Sequence, residues 1–203
     1  MRKPFVILAV LLMIILPVAV CLYVSNNSSD RVHARDLGVR PDAQDLSSAQ
    51  TKFSGWRKGQ LASFNSAELT AWLHHSETAA TPLVDAQVRI NADNSIEISG
   101  LLVTDRLEPY ASSRGFSAGQ ARQIVEQLGR NKRVPLYIRC QGGMNNGQLD
   151  LNIKNVEVDD IGVPRFMIRD KQNEIERILQ EVLQRNHIQD IRVENREIRL
   201  GRP

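Results

Sequence analysis

Alternating apolar and polar residues constrain this 203-residue chain more than any other feature. The run 84–90 places an apolar side chain at every second position, residues 91–95 form a cluster of turn-forming types, and the alternation resumes over 96–102. Because successive side chains of a strand point to opposite faces, this pattern predicts a β-hairpin with one apolar face. Gly100 inside the second strand indicates a bulge, a bend or the close approach of another group.

Two further hairpins follow from the same pattern. The runs 134–140 and 149–158 flank the glycine-rich turn 142–147, which lies between two strands and so does not have the context of a nucleotide-binding loop. Within 149–158 the apolar residues switch from odd-numbered to even-numbered positions. This switch predicts a bulge near Asn155. A short terminal hairpin is predicted around Asn195-Arg196.

Three helices are predicted between these hairpins. Asn65 and Glu68 are spaced as a capping box for the first helix, which ends near His74 and His75. The second runs from Ser117, with Gln120 three residues later, to Gly129. The third covers about 170–185 and has the strongest apolar stripe. Local hairpins alternating with helices predict an α+β fold, with an antiparallel sheet and helices packed on it.

The N-terminus contains a charge-free run from Phe5 to Val24, which is 20 residues long. A helix of this length spans about 30 Å of hydrocarbon, and the preceding Arg2 and Lys3 place the N-terminus in the cytoplasm by the positive-inside rule. A cleaved signal peptide is the alternative, although its apolar core is usually shorter and followed closely by a small-residue cleavage site. We therefore expect residues 1–24 to be a single-pass anchor in the cell membrane.

The remaining boundaries follow from composition. Residues 25–51 begin with a polar stretch that lacks periodicity, and we interpret this segment as a stalk. Residues 52–203 contain all the predicted helices and hairpins, and we expect them to form an extracytoplasmic α+β domain. Removing Arg2 and Lys3 from the 26 basic residues leaves 24 against 23 acidic ones, so the charge balance gives no indication of nucleic-acid binding.

Chemistry-bearing residues are sparse and poorly spaced for catalysis or metal binding. His74 and His75 are adjacent, and adjacent residues point about 100° apart on a helix, whereas a zinc helix uses two ligands on one face. Cys140 occupies one of the alternate strand positions that are predicted to face inward, and we interpret it as a core residue. The sequence contains no recognisable nucleophile–base pair or cofactor motif, so we expect no enzymatic activity, no cofactor and no bound metal.

Three segments carry a family resemblance: the strand-to-helix entry LASFNSAELTAWL, the hairpin VPLYIRCQGG…GQLDLNIKNVEVDDIGVP and the closing NEIERILQEVLQRN…IQDIRVENREIRLG. Over roughly residues 52–201, they resemble bacterial membrane-anchored YpmS-like proteins and, more remotely, the tubular lipid-binding (TULIP, SMP-like) fold. Asn195-Arg196 stands where related sequences often have an Asp-Gly turn. The resemblance implies a long helix laid across a curved antiparallel sheet, with an apolar groove for lipid tails between them.

Two functions remain open at this point. The first is a membrane-tethered extracytoplasmic domain that binds lipid or another apolar envelope molecule. The second is a structural or protein-interaction module of an envelope assembly, in which the same sheet face is fully packed. For the first, we expect the groove lining to come from six apolar residues on the inward strand parity: Val88, Ile98, Leu102, Leu136, Ile138 and Leu151.

Overall fold

A computed structural model describes residues 33–113, 118–185 and 187–201. The helices are α1 Ala43–Arg57, α2 Ser66–Ser76, α3 Leu107–Ser113, α4 Ala118–Leu128 and α5 Arg165–Arg185. The strands are β1 Ala62–Phe64, β2 Leu83–Ile90, β3 Ser95–Val103, β4 Arg133–Asn145, β5 Gln148–Val158, β6 Ile161–Gly162, β7 Ile191–Glu194 and β8 Glu197–Leu200. The charge-free run 5–24, stalk residues 25–32 and the predicted cap Ser117 lie outside the described residues. Within those described ranges, no helix has both the length and the apolar character needed to cross a membrane.

All strand pairs are antiparallel, as the hairpin patterns predict. Along one path the strand order is β1-β8-β7-β4-β3-β2, and β5 pairs with β4, followed by β6. The 13-residue strand β4 is central because β3 pairs with its first part, β7 pairs at Met144, and β5 lies along its other side. The architecture is therefore α+β with an antiparallel, unclosed sheet.

The irregularity expected at Gly100 lies mainly in the strand opposite it. The β2–β3 register shifts between Val84 and Gln87, and Asp85 there has a φ of 51°. A Cβ on Gly100 would lie 2.7 Å from Leu83 Cδ1 and 3.2 Å from the carbonyl oxygen of Val84. Gly100 thus permits a close approach, and the bulge turns Leu83 inward, which leaves Val84 only half-buried.

The bulge predicted near Asn155 is confirmed. Arg139 pairs with Asn155 and Cys140 with Ile153, which leaves Lys154 without an opposite residue. An extra residue in one strand reverses the side-chain parity beyond it. This is why Ile153 and Val156 are both buried on the same side although they are three positions apart.

Helix side chains bind the backbone at two edges of the sheet. Thr70 Oγ1 accepts a hydrogen bond from Val88 N at 3.0 Å, and Ser66 Oγ accepts one from Ile90 N at 2.9 Å. On the opposite side, Gln172 Nε2 of α5 donates to the carbonyl oxygen of Leu151 at 2.7 Å. Covering unpaired strand edges in this way satisfies backbone groups that would otherwise be open to pairing with another chain.

Helix α1 was not predicted from the sequence, because residues 25–51 were interpreted as a stalk. The helix starts after Asp42, whose side chain accepts hydrogen bonds from the backbone of Gln44 and Asp45, and the Asp45 side chain completes a capping box. Its buried residues are Ala49, Phe53 and Trp56. The predicted boundary at residue 52 therefore falls inside a helix that packs on the rest of the described chain.

Helix α5 also begins earlier than the predicted residue 170. It starts at Arg165, directly after Pro164, whose carbonyl oxygen accepts from Met167 N at 3.0 Å. Ile168 is buried on the same stripe as Ile175 and Leu179. The helix is 21 residues long and its apolar face packs on the inner face of the sheet.

A buried polar cluster occupies the outer face of the sheet, opposite the apolar core. Glu97 is only 5% exposed, and it accepts hydrogen bonds from Tyr137 Oη and Arg89 Nε, each at 2.5 Å. Arg35, in the segment that precedes α1, lies 4.0 Å from the Tyr137 ring centroid and forms an ion pair with Glu157. The residues just before α1 are thereby attached to the sheet.

Candidate functional site

Helix α2 is positioned by a capping box that also connects it to α1. Asn65 Oδ1 accepts from Glu68 N at 2.9 Å, and Glu68 Oε2 accepts from Asn65 N at 3.0 Å. The buried Glu68 carboxylate also accepts from Lys52 Nζ at 2.6 Å and from Ser48 Oγ at 2.5 Å. Burial favours the neutral form of Glu68, but these hydrogen bonds outweigh it and lower the pKa of Glu68. The ionised carboxylate fixes α1 and α2 together.

An aromatic cluster extends from this junction toward the sheet. The rings of Phe53 and Phe64 are stacked with centroids 4.2 Å apart, and Trp72 of α2 lies 4.5 Å from Phe53. Phe64 comes directly before the Asn65 cap, and Leu69 follows it at the fourth helical position, as in a hydrophobic staple. These aromatic rings form one wall of an apolar space over the sheet.

The sheet supplies the floor of that space through rows of directly paired residues. Val88 pairs with Ile98, Ile98 with Ile138, and Ile138 with Val156, so one row crosses four strands. The neighbouring row joins Ile90, Ile96, Cys140 and Ile153. Paired residues of antiparallel strands point to the same face, so both rows face the helices.

Between the sheet and the helices lies an apolar cavity of about 200 Å³. Helices α1, α2 and α5, the β4–β5 hairpin and the β7–β8 hairpin all contribute to its wall. The lining residues are Phe53, Phe64, Leu69, Trp72, Leu73, Val88, Ile96, Ile98, Cys140, Gly142, Gly143, Leu149, Leu151, Leu179, Leu183, Ile191, Val193, Ile198 and Leu200. None of these residues carries a charge. The cavity is therefore suited to an apolar guest.

The six residues expected to line the groove divide into two groups. Val88, Ile98 and Leu151 line the cavity. The other three are buried in the packed core and are absent from the lining: Leu102, Leu136 and Ile138. All six side chains point to the face of the sheet that the helices cover. The cavity, however, lies only over the part of the sheet near β7 and β8.

Most of the lining residues were not among the six that were expected to line the groove. Phe53 comes from α1, in a segment where no helix was predicted, and Trp72 comes from α2, the first of the predicted helices. Val193 and Ile198 belong to the terminal hairpin, where they pair with each other. The Asp42–Asp45 capping spacing was the signal that could have located α1.

Two residues of the cavity lining, Trp72 and Cys140, have a polar side-chain atom. Trp72 Nε1 is buried and has no hydrogen-bond acceptor among the described residues. Cys140 has a thiol, but burial raises the pKa of that thiol to about 12, so it stays protonated at neutral pH. Because Trp72 Nε1 is fully buried, no space large enough for a ligand atom adjoins this donor.

The histidines lie away from the cavity lining. His74 and His75 are exposed and occupy the last turn of α2, the position that the capping pattern predicts. Within residues 33–113, 118–185 and 187–201, no three His, Cys, Asp or Glu side chains form a group that could hold a metal ion.

Comparisons with known proteins do not assign this chain to a family. No protein-family model, no curated protein and no solved structure matches the chain.

Proposed function

We propose that this protein is a non-enzymatic, membrane-tethered domain on the extracytoplasmic side of the cell membrane, and that it binds a lipid or another apolar envelope molecule. The observation that carries the proposal is the cavity of about 200 Å³ between the sheet and three helices. The cavity is partly open to solvent, since lining residues such as Trp72, Leu149 and Ile191 are only half-buried, so a ligand can enter it. A space of this size with an apolar lining is the kind of site that takes an apolar guest.

The size of the cavity limits the part of a ligand that it can enclose. A dry apolar cavity of about 150 Å³ binds benzene, so a cavity of about 200 Å³ has room for roughly eight carbon atoms. Burying about eight methylene groups contributes on the order of 6 kcal/mol before the cost of association. We infer that the guest is one short chain or the end of a longer one.

The finer features of the fold support the resemblance to tubular lipid-binding proteins. Bulges at Asp85 in β2 and at Lys154 in β5 bend their strands, which favours a curved sheet. The 21-residue helix α5 packs along the apolar face of that sheet. The charge-free run 5–24 is the proposed anchor, with the N-terminus in the cytoplasm.

The cavity also supports a binding role over catalysis. Hydrolysis requires an activated nucleophile and a base within hydrogen-bond reach. Cys140 is the cavity residue with nucleophilic chemistry, and its raised pKa keeps the thiol neutral. The lining of the described cavity contains no histidine, carboxylate or amine to act as its base.

A matched pair of substitutions tests the proposal. Val88 and Val156 belong to the same cross-strand row, but only Val88 lines the cavity. Val88→Phe should fill the space, abolish the ligand detected by native mass spectrometry of the purified full chain, and preserve cooperative unfolding. Val156→Phe should overpack the core and cost about 1–3 kcal/mol, while the protein that remains folded keeps its ligand.

The opposite result would support the second candidate, a protein-interaction module of an envelope assembly. Three apolar side chains that remain exposed favour it: Leu61, Ile161 and Phe166. If the delipidated protein takes up no labelled acyl compound and Val88→Phe destabilises it as much as Val156→Phe does, the cavity is part of an ordinary core. The binding proposal would then be wrong.

A further inference from the structure

Two exposed apolar side chains lie where β6 leads into helix α5. Ile161 is 40% exposed and Phe166 is 59% exposed. Ile161 pairs with the buried Val158, and directly paired residues point to the same face, so Ile161 is the exposed end of an apolar row. Phe166 belongs to the first turn of α5, which packs on that face. Within six residues, the chain therefore presents two large apolar side chains to solvent.

Two arginines adjoin this pair. Arg165 and Arg169 are exposed and lie one turn apart on α5, and neither forms an ion pair with any other residue that the structure describes. The exposed carboxylates of the same segment are Asp160 and Asp170, so its charges balance and electrostatic attraction alone does not select a partner. The patch fits a surface in which an apolar layer adjoins phosphate groups, because guanidinium groups bind phosphate and apolar side chains enter the layer beneath it.

The chain that precedes α1 crosses the outer face of the sheet toward the same edge. Leu37 N donates a hydrogen bond to Gln87 Oε1 of β2 at 2.9 Å. Two residues earlier, Arg35 forms an ion pair with Glu157 of β5, and Glu157 lies directly opposite Gly162 of β6. The strands stand in the order β2-β3-β4-β5-β6. Traced toward the N-terminus, the described chain therefore leads to the β6 edge.

The proposed anchor ends close to this point along the chain. Val24 and Arg35 are eleven positions apart, and even a fully extended chain of that length spans no more than about 40 Å. A tether this short holds the β6 edge near the bilayer surface and raises the effective concentration of one for the other. A patch of four side chains is far smaller than the surface that two freely diffusing proteins need for a stable interface. The tethered bilayer is therefore the occupant that such a small patch can hold.

We propose that Ile161, Arg165, Phe166 and Arg169 form a docking patch for the phospholipid bilayer that holds the anchor. The two apolar side chains enter the boundary below the headgroups, and the two arginines bind lipid phosphate oxygens. This inference rests on the membrane tether of the proposed function. It is independent of the ligand, because none of the four residues lines the cavity.

Docking at this edge also orients the domain. Glu157, next to β6, pairs with Tyr137 of β4, whereas β7 pairs with Met144. These two β4 residues are seven positions apart, or about 23 Å along a strand. The cavity lies near β7 and β8, and Leu61, 73% exposed, comes just before β1, which pairs with β8. We expect the cavity and Leu61 to face away from the bilayer in the docked protein.

Quenching by brominated lipids tests the docking in the full chain. The protein is reconstituted into vesicles of phosphatidylcholine and phosphatidylglycerol, with and without bromine on the acyl chains near the headgroup. Phe166→Trp should show a large loss of emission in the brominated vesicles beyond that of wild-type Trp56 and Trp72, because the introduced indole enters the acyl boundary. Leu61→Trp is the matched control, since it replaces another exposed apolar side chain, and it should show no added loss.

Charge reversal tests the arginines in the Phe166→Trp background. Arg165→Glu with Arg169→Glu should remove most of the added quenching, because the introduced carboxylates repel lipid phosphate. Arg192→Glu with Arg196→Glu makes the same change at exposed positions of the β7–β8 hairpin and should leave the quenching unchanged.

The other outcomes overturn the docking. If the protein stays in the vesicles but Phe166→Trp is quenched no more than wild type, or if Leu61→Trp is quenched as strongly, the docking patch is wrong and the tether stands. If the protein does not remain with the vesicles after a carbonate wash, the tether fails as well. Unchanged quenching after the Arg165 and Arg169 reversal would overturn the phosphate contacts. Exclusion of acrylamide from the introduced indole only in native membranes, which also contain other envelope proteins, would assign the patch to a protein partner instead.

Discussion

Thr70 of helix α2 binds both backbone polar groups of Val88 at the edge of the sheet. Its Oγ1 accepts from Val88 N at 3.0 Å and donates to Val88 O at 3.3 Å. Thr70 is fully buried, and Val88 is a lining residue of the cavity. One hydroxyl therefore both closes the edge of β2 and fixes the distance between α2 and the cavity floor.

Replacing Thr70 with Val should destabilise the protein by about 1–3 kcal/mol. Valine keeps the branched shape but leaves the buried N–H and C=O of Val88 without their hydroxyl partner. The measurement is the free energy of unfolding from chemical denaturation. Thr51→Val is the matched control, since the Thr51 hydroxyl donates to Ser47 O on an exposed face of α1, and it should change stability by less than about 0.5 kcal/mol.

Gly100 is expected to be intolerant of any side chain. A Cβ there would lie 2.7 Å from Leu83 Cδ1 and 2.9 Å from Leu83 Cγ, closer than carbon atoms pack. Gly100→Ala should therefore cost about 1–3 kcal/mol through overpacking and displacement of the β2 bulge. Gly162→Ala meets no atom within 4 Å and should be nearly neutral. Equal denaturation midpoints for the two variants would show that the β2–β3 contact at Gly100 can accommodate a methyl group.

The sequence predicts the hairpins well because a strand has a fixed side-chain period of two. That period located β2, β3, β4 and β5, and its reversal located the bulge at Lys154. Helix α1 was missed because its apolar positions, Leu46, Ala49, Phe53 and Trp56, include a small residue and lie among serine, glutamine and threonine. Its helical spacing of three and four residues becomes informative only with the Asp42 cap.

The cavity could not be located from the same patterns. Val88, Ile98, Ile138 and Val156 form one row with identical parity, yet only Val88 and Ile98 line the cavity. The lining and non-lining residues of this row differ in the helices that cover them. Helix α5 packs on one part of the sheet, whereas the aromatic wall of α1 and α2 leaves a space over the other part. That difference arises from helix placement, which strand periodicity does not encode.

Glu97 should make the stability of the protein depend on acidity. Burial raises the pKa of this carboxyl, but hydrogen bonds from Arg89, Tyr137 and Asn91 outweigh it and lower the pKa from 4.5 to about 2. Because the folded-state pKa lies below the unfolded value, the stabilisation is complete above about pH 5. It is lost as the pH falls from about 4.5 to about 2.

Glu97→Gln should remove this contribution and flatten the stability profile between about pH 5 and pH 2. At pH 7 the variant should lose about 1–3 kcal/mol, because glutamine keeps the shape but not the charge-assisted hydrogen bonds. Unfolding free energies measured across that range provide the test. Glu126→Gln, at an exposed position on α4, should keep the wild-type profile. An unchanged acid dependence in Glu97→Gln would mean that other carboxyls control it.

The charge-free run from Phe5 to Val24 should hold the protein in the membrane with its C-terminus outside the cytoplasm. A reporter that is active only outside the cytoplasm should be active when fused after Pro203, and a carbonate wash should leave the protein in the membrane fraction. Replacing Arg2 and Lys3 with Glu should reduce reporter activity, since cytoplasmic positive charge sets the orientation. Arg192→Glu with Arg196→Glu, two exposed arginines far along the chain, is the matched charge control and should leave reporter activity unchanged. Release of a shortened, soluble protein from wild-type cells would identify the run as a cleaved signal peptide instead.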